Sequence, residues 1–414
     1  MSNSKELDLV LFGATGFTGE LVAQRLAQEP AGLRWALAGR SRDKLERVRA
    51  SLAQTNPRCA ELPILVADAT DEAALLAIAR QARVICSTVG PYLRHGLPLV
   101  AACARAGSDY CDLTGEVPFI HASIERNLST ARESGARLLH ACGFDSIPSD
   151  LGVFALHQHM AERGLPLREA RLFVHSAKGG FSGGTLATII DLFAAGRADP
   201  KLRRLMIDPY ALVPDSGEPR RRPKEPRGVA YDGEAGQWTA PFIMAGINTR
   251  VVHRSNALLG YPYGRDFRYA EYVGFGRGAR AAAMATAMMA GIASFALLSI
   301  SDITRPMLAR LLPQGGEGPS EEQRTRGRWR VMLRGFSEKA DQTDPQAAAV
   351  LRLSGEGDPG YASTARMLAE VALLLAETHG GGQSGGVYTP AAALGQTLIA
   401  RLPRAGVQFQ FTDP

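Results

Sequence analysis

The feature that most constrains this chain is a glycine run set directly behind its first apolar strand. Residues 9–12 are a short apolar stretch, Gly13-Ala14-Thr15-Gly16-Phe17-Thr18-Gly19 follows at once, and a helical pattern begins inside that run. Glycine there lets the chain turn tightly. It also lets the unpaired amides of a helix N-terminus meet a pyrophosphate with no side chain between. A glycine triplet alone is a weak signal, but its place at the first strand-to-helix turn, ahead of further strands at suitable spacing, points to a dinucleotide site. Gly13, Thr15, Gly16, Phe17, Thr18 and Gly19 are therefore candidate cofactor-binding residues.

The second strand ends in Ala38-Gly39-Arg40-Ser41-Arg42. An NAD enzyme places an acid near this point to hold the ribose hydroxyls, and none is present. Arg40, Ser41 and Lys44 instead offer a guanidinium, a hydroxyl and an ammonium to a 2′-phosphate, which favours NADP. Asp68, after the third strand, is placed either to accept from the adenine amino group or to cap a helix in Asp68-Ala69-Thr70-Asp71. The fourth strand runs into Thr88-Val89-Gly90-Pro91-Tyr92, and strand ends of this kind border the ligand crevice, so Thr88, Val89, Gly90 and Pro91 join the cofactor set. No tyrosine is followed four residues on by lysine, which argues against the catalytic pair of short-chain dehydrogenases.

Residues 8–142 alternate short apolar runs with helix-like stretches, as in a parallel sheet covered on both faces. Strands are expected at 9–12, 35–38, 64–67, 84–88, 110–113 and 138–141, with the clearest helix bracketed by Pro98 and Gly107. From about residue 168 the strands lengthen and their side chains alternate, as in Arg328, Arg330, Met332 and Arg334 against Trp329, Val331 and Leu333. Others are expected at 171–176, 248–254, 266–274 and 348–354, giving a largely antiparallel second sheet. Residues 208–227 carry five prolines and read as an extended loop. Helical spacing returns in 364–378 and 390–402. The fold class is α/β: a doubly wound, Rossmann-type parallel sheet at 1–145, an inserted α+β substrate domain at 146–357, and C-terminal helices at 358–414.

Composition excludes several classes. Hydrophobic residues are 45% and charged residues 21% of 414, near the globular average, which excludes a disordered or fibrous chain. A net charge of +6 is small for this length; most of the basic excess gathers at 201–230, where eight basic residues face four acidic ones, and no nucleic-acid partner is expected. The five cysteines form no C-x-x-C pair, which suits a reducing compartment without a zinc site, and the polar first residues suit a cytoplasmic protein. His157 and His159, two apart, would point to different faces of a helix, and His140 reads as a core residue, so no metal site is expected. Residues 281–300 contain no charge; their alanine content favours a buried or surface-docked helix over a membrane span.

The motifs together resemble a known family. Gly13 to Gly19, Ala38-Gly39-Arg40, Gly90-Pro91-Tyr92, Tyr110-Cys111-Asp112-Leu113-Thr114-Gly115-Glu116 and Gly143-Phe144-Asp145-Ser146-Ile147-Pro148-Ser149-Asp150 resemble the saccharopine dehydrogenase-like oxidoreductases. Within that group they are similar to the trans-acting enoyl reductases associated with polyketide lipid synthesis. Ser182-Gly183-Gly184-Thr185, Gly318-Pro319-Ser320-Glu321 and Gly385-Gly386-Val387-Tyr388-Thr389-Pro390 extend the likeness over most of the chain. The resemblance implies a split nucleotide domain whose last helices return to the first sheet, and enoyl reduction on a hydrophobic acyl-linked substrate. Amino-acid (imine) oxidoreduction and a non-catalytic nucleotide-binding protein at a lipid surface remain as alternatives.

Ser182, Gly183, Gly184 and Thr185 precede a helical stretch and are candidates for substrate binding or for a simple helix cap. Asp112, Glu116, Asp145 and Asp150 follow strand ends, where a general acid belongs or a helix cap would stand. Tyr92 is the preferred proton donor because it follows the cofactor loop directly, with Asp145 as the second catalytic candidate. An acyl carrier, an anionic membrane surface and a second copy of the chain are the expected partners.

Overall fold

The computed structural model describes residues 5–30, 32–178, 190, 192, 195–214, 228–300, 304, 307, 319–337, 347–382 and 384–412. The chain forms two compact units. One comprises Met1–Asp145 and Gly360–Ala405, the other Ser146–Gly315, Pro319–Pro359 and Gly406–Pro414.

The first unit alternates strand and helix: β1 (Leu7–Phe12), α1 (Phe17–Leu26), β2 (Trp35–Gly39), α2 (Arg42–Thr55), β3 (Ile64–Val66), α3 (Glu72–Gln81), β4 (Ala82–Ser87), α4 (Tyr92–His95), α5 (Leu97–Ala106), β5 (Asp109–Asp112), α6 (Val117–Ser134) and β6 (Arg137–Leu139). Every strand pair is parallel, in the order β3-β2-β1-β4-β5-β6, with a late strand, Gly386–Tyr388, added beside β6. All five residues of β2 and the last four of β1 are buried, which is why these strands read as unbroken apolar runs. Strand order reverses between β1 and β4, and the loops leaving those two strands are the glycine run and Thr88 to Pro91. In an open parallel sheet that switch point is where a nucleotide lies.

The returning helices complete this unit. Thr364–Glu377, apolar along most of its length, lies against α1 and across β1, β4 and β5. From its buried middle, Glu370 pairs with Arg25 of α1 through Oε1 and with Nε of Arg401, at the end of helix Pro390–Arg401, at 2.7 Å. The return stops at Ala405, whereas helices returning to the first sheet were expected throughout 358–414. The last strand, Val407–Thr412, pairs instead with the second sheet, because its alternating side chains suit a sheet with one wet face.

The second unit opens with α7 (Ile147–Ala161) and builds a sheet from β7 (Glu169–Lys178), β8 (Ala230–Asp232), β9 (Gln237–Pro241), β10 (Arg268–Gly276), β11 (Arg328–Phe336), β12 (Ala349–Glu356) and the terminal strand. Only the β7–β10 pair is parallel among its described pairs. The strand expected at 248–254 is instead the middle of helix Ala245–Leu258. Residues 247–256 of that helix are all buried, so its hydrophobic pattern carried neither period, and its β-branched residues imitated a strand. Polar groups on it are used in the core: Asn248 accepts from Ser146 Oγ at 2.8 Å and donates to Glu271 at 3.0 Å, and Glu271 also accepts from Ser149 at 2.6 Å and from Tyr269 at 2.6 Å.

The buried Glu370 yields a stability prediction. Glu370→Ala removes one carboxylate from Arg25 and Arg401, which keep Glu29 and Glu377 as partners, so the loss should be about 1.5–3 kcal/mol, that of charge-assisted hydrogen bonds, and not that of an uncompensated buried charge. Urea denaturation should show that loss, and a change under about 1 kcal/mol would mean that the pairs add nothing to the packing of the helices.

Candidate nucleotide-binding and active site

The glycine loop is built by close backbone approach. Gly13 has a φ of +96°, and a Cβ on it would stand 2.7 Å from both Thr88 Oγ1 and Val89 Cγ2. A Cβ on Gly19 would stand 2.1 Å from the Gly13 carbonyl oxygen, so α1 can press onto the loop only with glycine there. Gly16 differs: its φ of −84° suits any residue, and the nearest atom to a Cβ is 3.5 Å away. It is the exposed N-cap of α1, with no side-chain cap, so the first-turn amides face a position that an anion can take. Thr88 ties the two loops together, its amide donating to Phe12 O at 2.9 Å and its hydroxyl to Gly13 O at 3.0 Å. Phe17 meets Tyr361 edge to face at 4.6 Å, while Thr15 and Thr18 stand half-buried beside the loop.

A cavity of about 410 Å³ opens beside this loop, lined by Thr15, Glu20 and Gln24 on one side and by Lys44, Arg47 and Ser51 of α2 on the other. Among the described residues neither Lys44 nor Arg47 makes an ion pair, so two cations and two hydroxyls are available to a phosphate monoester. Arg47 and Ser51 escaped the sequence reading; the signal for them was their helical spacing from Lys44 on one face of α2. Arg40 is exposed at the end of β2, where its charge helps hold Asp68 below the usual carboxylate range, after the two larger contributions from the Thr70 hydroxyl and amide. Asp68 accepts from Thr70 Oγ1 at 2.7 Å and from the Thr70 amide at 2.9 Å, while Asp71 caps α3. The chemistry of these donors fits the 2′-phosphate and pyrophosphate of NADP.

The acid candidates separate sharply. Tyr92 is buried beside Phe119 and its hydroxyl donates to Ser87 O at 3.1 Å; burial pushes the phenol far above its ordinary pKa. In this geometry the hydroxyl is engaged by a main-chain oxygen, and its raised pKa makes it a weaker acid than a free phenol. Glu116 accepts the amides of Tyr92 and Leu93, each at 2.8 Å, and so caps α4. Asp112 accepts from His140 Nδ1 at 2.7 Å and from the amides of Thr114 at 3.1 Å and Ala141 at 3.2 Å, and Ser123 Oγ lies 2.8 Å from His140 Nε2. Asp150, inside the second unit, accepts from Ser255. Asp145 differs from all of these. It is half-buried, has no hydrogen bond or ion pair among the described residues, and burial alone pushes its carboxyl up to about 6. Ser182, Gly183, Gly184 and Thr185 lie outside the described residues.

Comparison with known proteins agrees with the class that this geometry defines. Residues 9–141 match the saccharopine dehydrogenase NADP binding domain, and with the full-length relatives below this makes the chain an NADP-dependent oxidoreductase. Over 418 residues it is 42% identical to the trans-acting enoyl reductase of Mycobacterium ulcerans, covering 98% of each chain. It is 45% identical over 419 residues to a Mycobacterium tuberculosis protein that carries the same name provisionally, covering 99% of this chain and 98% of that one. The fold is that of apo saccharopine dehydrogenase (L-Glu forming) from Saccharomyces cerevisiae, with a TM-score of 0.55 at 13% identity over 98% of this chain and 99% of that one. The chain belongs to the family of the trans-acting enoyl reductases.

Gly16→Val should remove cofactor binding and leave the fold, because the backbone there tolerates a side chain but the anion position does not. At NADPH a hundredfold above its Kd the parent should gain about 2.7 kcal/mol of stability and the variant none. Equal gains would place the pyrophosphate elsewhere.

Proposed function

We propose that the protein reduces the carbon-carbon double bond of an α,β-unsaturated acyl thioester carried by an acyl carrier, at the expense of NADPH. The full-length match at 40–45% identity to proteins of that name carries the reading. NADPH held by the residues of the nucleotide site would supply the hydride for the β-carbon, and the π electrons of the double bond would then take a proton at the α-carbon from a crevice side chain or from water.

Asp145 suits that role. A carboxyl with a pKa near 6 is protonated often enough near neutrality to give its proton up, and it can be refilled from water. The α1 N-terminus and the Gly13 to Gly19 loop hold the pyrophosphate; Arg40, Ser41, Lys44 and Arg47 bind the 2′-phosphate; Thr88, Val89, Gly90 and Pro91 border the nicotinamide end. Binding energy on the remote phosphate thereby orients the reacting carbon.

Three readings test this. NADPH oxidation should be seen with a trans-2-enoyl thioester on pantetheine or a carrier; turnover only with a 2-oxo acid and an amine would replace enoyl by imine reduction. The parent rate should fall as pH rises through about 6, and Asp145→Asn should lower kcat by about 10²-fold or more while leaving NADPH affinity unchanged. Because the folded pKa is raised from 3.8 to about 6, Asp145 weakens the fold progressively as pH climbs between those values. Asp145→Asn should accordingly be neutral below pH 4 and stabilising, by up to about 3 kcal/mol, above pH 6. Unchanged kcat in Asp145→Asn would remove this residue as proton donor.

A further inference from the structure

The helix Gly278–Ile300 of the second unit has no charged side chain after Arg280, and the next acid in the sequence is Asp302. Its most apolar stretch has a mean hydropathy of 1.8, yet only 11% of that stretch is buried. A helix apolar on every side belongs in a protein core or in lipid, and the exposure excludes the core. One face is occupied, since Ala281, Ala285 and Ser299 are buried and the helix packs on β9 and β10. On the other side Met284 is 52%, Leu297 71% and Leu298 42% exposed. Arg277, whose Nε donates to Gly236 O at 3.0 Å, and Arg280 are exposed at the N-terminal end.

We infer that this helix docks the protein on an anionic lipid bilayer, lying along the surface with its outer face among the acyl chains and Arg277 and Arg280 at the headgroups. With one face held by the sheet, lipid cannot surround the helix, so it lies on the membrane and does not cross it. Between its large residues the outer face is alanine, glycine and serine, including Ala287, Ala290, Gly291 and Ser294. A protein partner requires interlocking shape there, whereas a bilayer requires only apolarity. The two arginines without a neighbouring acid on the helix add attraction to anionic headgroups. The inference goes beyond the reduction proposed above and does not depend on it.

Vesicle flotation tests it, using phosphatidylcholine mixed with phosphatidylglycerol and phosphatidylcholine alone. The protein should float with the mixed vesicles at low salt, and Arg280→Glu should weaken that binding while leaving the weaker binding to phosphatidylcholine unchanged. Leu297→Asp with Leu298→Asp should weaken it at least about tenfold, since two leucines lose their apolar burial. The double variant should still be stabilised by NADPH, which shows that it is folded and keeps the result separate from the fate of the enoyl reading. Flotation with neither vesicle, flotation unaffected by the double variant, or recovery only with detergent would overturn the inference. So would a dimer in sedimentation that the double variant dissociates without any flotation by the parent, since the occupant would then be a second copy.

Discussion

A single buried carboxylate, Glu370, joins the beginning of the chain to its end. It receives Arg25 from the helix that starts at the cofactor loop and Arg401 from the last helix, and it has no exposure to water. Desolvating three charges is costly, and pairs of this kind stabilise only where geometry and further hydrogen bonds compensate. Here the same charges tie down α1, whose uncapped N-terminus follows the glycine loop. Phe17 against Tyr361 adds a second contact between the cofactor helix and the returning segment. The nucleotide site thus depends on residues more than 340 positions apart.

How much of this was legible in the chain follows from how local each cause is. The parallel sheet was readable because strands buried on both faces leave continuous apolar runs, and the glycine loop because backbone crowding at Gly13 and Gly19 admits no side chain. Helix Ala245–Leu258 was not, since burial on all sides erases the period that separates helix from strand. The terminal strand Val407–Thr412 has a clear alternation, but which sheet it joins is settled by pairing with β12, far back in sequence. The acids show the same limit. Asp112, Glu116, Asp145 and Asp150 stand in equivalent-looking motifs, and only their partners distinguish them: His140, the α4 amides, none among the described residues, and Ser255. Tyr92 looked apt because it follows the cofactor loop, yet Ser87 O claims its hydroxyl.

The site that results divides its work between rigid and responsive parts. The loops after β1 and β4 are locked to each other through Thr88, and the cavity beside the glycine loop draws Lys44, Arg47 and Ser51 from one face of a single helix. The loops held by Thr88 lose little freedom when an anion arrives, whereas the exposed Lys44 and Arg47 side chains must be ordered by it. Asp145, with no partner among the described residues and a carboxyl that burial pushes up to about 6, is the acid on which the proposed protonation rests.

The measurement that bears most directly on this account follows the hydride itself. NADPH carrying deuterium at the transferable position of the nicotinamide ring would be supplied with a trans-2-enoyl thioester in ordinary water, and the product examined by mass spectrometry and NMR. The account predicts one deuterium on the β-carbon and a proton from solvent on the α-carbon. Deuterium on a carbonyl or amine-bearing carbon, or consumption of NADPH without label in the acyl product, would contradict it.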